Sequence, residues 1–234
     1  MLASVLSFAL IFTMTTTSAQ TSNYLNGFET SIVPDDWGEV ARVTSGTNGI
    51  ISATGAWHAV VPANDDGGFT RLGRIGGGSY NFTFPTCGYK TSLDIYLDVS
   101  GGWVNDRRFD YSSAINSTSD NTPNHNYRRD FVFNVGYYND NLIGELGAGT
   151  NRFVISASNN AGRSGAFPKN PGRSPQVIAA TGWYRFEHSF RNNGGVLAVD
   201  FTIYNASNIA VATWTLSDPS DIIGVSVGGA RYGW

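Results

Sequence analysis

Phe109-Asp110-Tyr111-Ser112-Ser113-Ala114-Ile115-Asn116 alternates in character with period two: Phe109, Tyr111 and Ile115 form one set, Asp110, Ser112 and Asn116 the other. Successive strand residues point to opposite faces, so such a segment has one apolar and one polar face. Residues 130–135 repeat the pattern, with Phe131, Phe133 and Val135 set against Asp130 and Asn134. So do residues 153–158, with Phe153, Ile155 and Ala157 against Ser156 and Ser158. Strands of this kind side by side make a sheet that buries one side and carries a polar wall on the other.

Further strands are predicted on both sides of this block. Candidates at 40–43, 49–53, 58–61, 79–84 and 91–99 precede it, and 182–190, 196–205, 211–216 and 222–227 follow, bounded by Gly, Asn, Asp and Pro clusters. No helix-period segment of useful length follows the first residues. The succession predicts an all-β fold of two antiparallel sheets packed face to face, a β-sandwich of jelly-roll type. Asn192-Asn193-Gly194-Gly195 marks a hairpin. Ahead of it Tyr184, Phe186, His188 and Phe190 share one face and Arg185, Glu187 and Ser189 the other. After it Leu197, Val199, Phe201 and Ile203 oppose Asp200, Thr202 and Tyr204. This hairpin is expected to extend the sheet of the central block. Two long polar loops, 117–127 and 159–176, read as binding loops or excursions; the second carries Arg163, Phe167, Lys169 and Arg173.

Residues 1–19 read as a secretory leader: 5–14 are mostly apolar, Thr17-Ser18-Ala19 are small, and Gln20-Thr21-Ser22-Asn23 turns polar at once. The apolar run is too short to span a bilayer, and no later stretch suits a membrane helix. Residues 20–234 are expected to form one domain, long enough to bury its own core. The aromatic ending Arg231-Tyr232-Gly233-Trp234 suggests that a last strand or two is missing. Charged residues make up only 14% of the chain, with Gly, Asn, Ser and Thr in their place, and the net charge of −3 offers no field for nucleic acid. The single cysteine, Cys87, excludes an internal disulfide and is expected to be a small buried residue beside a turn. His58, His125 and His188 are too scattered for a metal-ligand spacing.

Several stretches resemble known proteins. Gly27-Phe28-Glu29 with Asp36-Trp37 is similar to the opening of carbohydrate-binding jelly rolls. Arg108-Phe109-Asp110-Tyr111, Arg129-Asp130-Phe131-Val132-Phe133 and Gly182-Trp183-Tyr184-Arg185-Phe186 resemble secreted bacterial proteins of the concanavalin A-like lectin/glucanase superfamily. The likeness covers most of residues 25–234 and implies a sugar-related jelly roll, secreted to the cell surface or beyond. It also implies a structural calcium near Glu29, and Asp65 and Asp66 add an oxygen-rich loop suited to a hard cation.

Catalytic signatures are missing. Laminarinase-like relatives carry a Glu-x-Asp-x-(x)-Glu strand, which nothing here matches. Asp94 and Asp98 share one face, but four strand residues separate them by ~13 Å. Glycosidase carboxylate pairs stand about 5–9.5 Å apart, so one strand cannot supply the pair. The lyase-type Arg-x-Glu-x-Arg and Gln-Ile/Val-His strands are also missing. What remains is a polar wall of Asp110, Asp130, Asn134, Arg185, Glu187 and Asp200, with aromatic rings on which a pyranose could stack. Trp57, Trp103, Tyr137, Tyr138 and Trp183 are the ring candidates, Tyr137 and Trp183 foremost. The sequence therefore predicts a non-catalytic carbohydrate-binding module. A polysaccharide-degrading glycosidase or lyase, and a structural matrix protein, are the alternatives.

Overall fold

The computed structural model describes residues 25, 27–30, 41–61, 69–70, 84–117, 127–159, 168–223, 226–227 and 232–233. In chain order its strands are β1 (Ala41–Thr44), β2 (Trp57–Val60), β3 (Phe69–Thr70), β4 (Tyr89–Leu97), β5 (Arg107–Ser117), β6 (Tyr127–Tyr138) and β7 (Arg152–Asn159). They continue with β8 (Gln176–Ile178), β9 (Gly182–Asn193), β10 (Val196–Asn205), β11 (Ala210–Ile222), β12 (Ser226–Val227) and β13 (Tyr232–Gly233). Sheet I runs β11-β10-β9-β4. Sheet II is the meander β5-β6-β7-β8, with the short strands β3, β12 and β13 on its β5 side. Every pairing is antiparallel. The protein is an all-β sandwich of two sheets.

Alternation explains the packing. Phe131, Phe133, Val135 and Tyr137 of β6 meet Tyr184, Phe186, His188 and Phe190 of β9 and Leu197, Val199, Phe201 and Ile203 of β10 in one buried core. Phe133 sits at its centre, edge-on to Phe186 at 5.1 Å and Phe201 at 4.9 Å between ring centroids. Such contacts add about 0.5–1.5 kcal/mol each beyond the area they bury.

The β9–β10 hairpin turns on Gly194 (φ 64°) and Gly195 (φ 92°), since Asn193 pairs with Val196. A two-residue loop with both φ values positive matches the strand twist and nearly demands glycine. The Asn192 side chain accepts the Gly195 N–H at 2.7 Å and fixes the turn.

Four expectations change. The hairpin 184–204 does not extend the sheet of the central block: it lies in sheet I, while that block forms sheet II. Residues 49–53 form no strand, because a 3-10 turn over Thr47–Gly49, with Gly46 and Gly49 at positive φ, separates β1 from β2. Cys87 is exposed rather than buried, held out on the turn that the Gly88 N–H to Pro85 carbonyl bond closes at 2.8 Å. The loop 159–176 ends in a 3-10 turn, Pro171–Arg173, and yields the first residue of β8. The candidate strand 79–84 lies outside the described residues except for Phe84, and Asp65, Asp66 and His125 lie outside them entirely.

Candidate functional site

The predicted polar wall is two walls, on opposite outer faces of the sandwich. Arg185, Glu187 and Asp200 belong to sheet I, Asp110, Asp130 and Asn134 to sheet II. The structure does not bring the two groups together.

On sheet I every carboxylate of the wall is matched by a cation from a neighbouring strand or from across the hairpin. Arg185 donates to both oxygens of Asp94, at 2.9 and 3.2 Å. Arg191 does the same to Asp200, at 2.7 and 3.1 Å, and Thr215 adds a hydroxyl donor at 2.7 Å. These hydrogen bonds from Arg191 and Thr215 favour the ionised form and hold the Asp200 carboxyl below its usual range. Lys90 reaches Glu187 at 2.9 Å, and that bond raises the lysine's pKa. Trp183 is half-buried at one end of this face. Its Nε1 donates to the Ile51 carbonyl at 2.6 Å, and its ring meets His58 and Tyr96 edge-on.

Sheet II is organised differently. Asp110, Asn134 and Ser156 are successive partners across β5, β6 and β7, and Ser112, Val132 and Ser158 form the next row. By strand parity Asp130, half-buried at the start of β6, shares their face. The Asn134 amide is the hub. Its Nδ2 donates to Asp110 Oδ1 at 2.9 Å, and its Oδ1 accepts from Ser158 Oγ at 2.7 Å and from Arg173 Nη1 at 3.3 Å. Asn134 and Ser158 are buried, Asp110 is exposed, and the Ser156 hydroxyl is buried with no hydrogen-bond partner. A buried unsatisfied hydroxyl costs about 1–3 kcal/mol, so native proteins keep few of them without reason.

The segment 168–173 closes one end of this face. Gly136 makes room for it: a Cβ there would stand 2.8 Å from the Tyr138 ring and 2.9 Å from Pro168 Cγ. Asn170 caps the 3-10 turn by accepting the Gly172 N–H at 2.9 Å, which presents Arg173 to Asn134. Burial lowers the pKa of Arg173.

Beside this patch lies an ionic cluster that the sequence did not single out. Arg152 is wholly buried and uses all five N–H donors. They go to the carbonyls of Leu146 (2.8 Å), Asp140 (3.1 Å) and Thr150 (3.1 Å), to Asp140 Oδ1 (2.9 Å) and to Glu145 Oε2 (3.4 Å). Lys169 joins through Glu145 at 2.5 Å and lies 4.1 Å from the centre of the Tyr138 ring. Gly147 (φ 69°) completes the cradle, since a Cβ would stand 2.7 Å from Arg152 Cδ.

Tyr137 points inward, 1% exposed and edge-on to Phe153 at 5.5 Å. It is a core residue and cannot touch a ligand, a correction to its place among the sugar-binding candidates. Its parity with Phe131, Phe133 and Val135 carries that signal. Tyr138 is buried on the outer face, Trp57 lies under the Arg42 guanidinium at 3.5 Å, and Trp103 is exposed in the β4–β5 loop. Glu29 accepts the backbone N–H groups of Ala56 (3.0 Å) and Trp57 (3.2 Å). Among the described residues no three His, Cys, Asp or Glu side chains cluster closely enough to hold a metal ion. No helix among them is long and apolar enough to cross a membrane.

Comparisons with protein-family models, with curated proteins and with solved structures find no match for this chain.

Proposed function

We propose that the protein is a secreted, non-catalytic carbohydrate-binding module of lectin type, with its binding patch on the outer face of sheet II around Asn134. The observation that carries this reading is the Asn134 amide, held between the exposed Asp110 carboxylate and the half-buried Arg173 guanidinium. Sugars are recognised by planar polar groups that donate and accept at once. Asp110, Asn134 and Arg173 supply a carboxylate, an amide and a guanidinium. Mutual hydrogen bonds hold the amide in place before any ligand arrives, which lowers the ordering cost of binding. The outer face of sheet I supports the non-catalytic part of the reading, because its carboxylates are engaged by Arg185, Arg191 and Lys90.

Pull-down against a polysaccharide panel, followed by calorimetry on any ligand retained, tests this. Asn134→Ala is expected to weaken binding about tenfold or more, the equivalent of one lost hydrogen bond to a buried group. Arg185→Ala on the opposite face leaves it unchanged. Capture of no glycan, or equal loss from both variants, overturns the assignment.

A further inference from the structure

We propose that Asn193 is a site of spontaneous covalent modification: its side-chain amide cyclises onto the Gly194 nitrogen and hydrolyses to aspartate and isoaspartate at the tip of the β9–β10 hairpin. The chemistry needs no enzyme. The Gly194 nitrogen gives its proton to solvent and bonds to Asn193 Cγ, the Cγ–Nδ2 bond breaks, and ammonia leaves with a proton from water. Water then opens the cyclic imide at either carbonyl. Opening on one side leaves an aspartyl residue; opening on the other routes the main chain through Cβ as isoaspartyl. The net change is water in and ammonia out, with nothing oxidised or reduced.

Glycine after asparagine favours ring closure, because no Cβ crowds the attacking nitrogen. The chain has three such pairs, Asn26-Gly27, Asn48-Gly49 and Asn193-Gly194. Asn26 lies outside the described residues, and Asn48 and Asn193 are both exposed, so access to water does not separate the remaining two. Hydrogen bonding does. The Gly49 N–H donates to the Gly46 carbonyl at 3.0 Å, and the next N–H, of Ile50, donates to the Thr47 carbonyl at 3.0 Å. A nitrogen whose proton is already shared is less acidic, and its bond must break before it attacks. At the hairpin the turn is fixed instead from Asn192, whose side chain takes the Gly195 N–H. Among the described residues neither the Gly194 N–H nor the Asn193 side chain has a hydrogen-bond partner. At Gly194 and Gly195, as at Gly49, an added Cβ would meet nothing within 4 Å, so the peptide has room to turn.

The position gives the reaction a structural consequence. Asn193 pairs with Val196 across the two-residue loop, and the hairpin joins the two central strands of sheet I. A loop this short sets the register of the strands it connects. The isoaspartyl product inserts one extra atom into the main chain at Asn193 and breaks that register, whereas the aspartyl product keeps the backbone as it is.

The full chain, held warm in mildly alkaline buffer and sampled over weeks, tests this by peptide mass spectrometry, with an isoaspartate methyltransferase counting the isoaspartyl product. Asn193 is expected to convert about fivefold faster than Asn48, the factor given by one hydrogen bond of ordinary net strength. In urea, where neither turn persists, the two rates should converge. Asn193→Gln, which would have to close a larger ring, should remove the early isoaspartate signal and leave the Asn48 rate unchanged. Aged wild type should lose more of its melting temperature than aged Asn193→Gln. Equal rates at the two sites in the folded chain, a difference that survives in urea, an undiminished signal in Asn193→Gln, or equal losses of melting temperature overturn the proposal.

Discussion

On the outer face of sheet I, Arg185 reaches Asp94 across a strand boundary, and the two side chains stay 46% and 29% exposed. On the outer face of sheet II, Arg152 is fully enclosed and turns all its donors onto the loop between β6 and β7. Both faces derive from the same polar half of an alternating pattern. One remains a water-facing surface of matched charges, and the other is roofed by connecting segments and carries polar groups in a dry setting. Low local dielectric strengthens satisfied contacts and makes unsatisfied ones costly, so only the second face preorganises polar groups strongly. The contrast is why the candidate site is placed on sheet II.

The largest expected effect breaks the roofed face. Arg152→Met leaves three backbone carbonyls without a charged donor and takes one cation from Asp140 and Glu145. Removing one partner of a buried ion pair costs about 3–5 kcal/mol. Urea unfolding should therefore show a fall of that order for Arg152→Met. Arg185→Ala on the open face should cost less than about 1 kcal/mol. Equal losses from the two substitutions would remove the distinction between the faces.

A second effect comes from the layer between them. His188 is fully buried, 4.7 Å from both the Phe133 and Phe201 ring centres and 5.0 Å from Tyr111. Its Nδ1 lies 3.4 Å from Thr91 Oγ1, which in turn contacts Ser113 of sheet II at 2.7 Å. Burial drives its pKa down to about 3 from the ordinary 6.5. Between those values the unfolded chain takes up a proton that the folded chain refuses, so stability falls as pH drops through this window. The slope approaches about 1.4 kcal/mol per pH unit once the unfolded histidine is mostly protonated. Urea midpoints measured from pH 7 to pH 5.5 should show it, above the range where most carboxylates titrate. His188→Leu should flatten the profile, and a variant as acid-sensitive as the wild type would assign the effect to another group.

Within single strands the sequence was highly legible. Residues 196–205 read as a strand and are β10 in full, because an apolar start, Val196 to Val199, and the alternation that follows it end at a glycine pair on one side and at the Asn205-Ala206-Ser207 turn on the other. Parity also assigned Asp110, Asn134 and Ser156 to outward positions. It could not say that the hairpin of Glu187 and Asp200 lies in the other sheet, since period two orients a side chain relative to its own strand alone. Strand β8 was hidden by its length of three residues beside prolines. Arg152 gave no local signal, because its role depends on carbonyls 2 to 12 residues away that only the folded loop gathers around it.

The smallest effect tests whether the open face is as passive as its exposure implies. A double-mutant cycle on Asp94 and Arg185 isolates their coupling from the other effects of each substitution. The pair is bidentate, and the hydrogen bonds that Arg185 donates to Asp94 raise the pKa of Arg185, so its geometry is good. Exposure works against it: water and salt screen both charges, and holding two long side chains in one arrangement costs rotamer entropy. The coupling should come out between about 0.2 and 1 kcal/mol and shrink further in about 1 M salt, where the screening length is near 3 Å. A larger coupling that persists in salt would mean that this face is also shielded from water, and the placement of the binding patch on sheet II would lose its main physical ground.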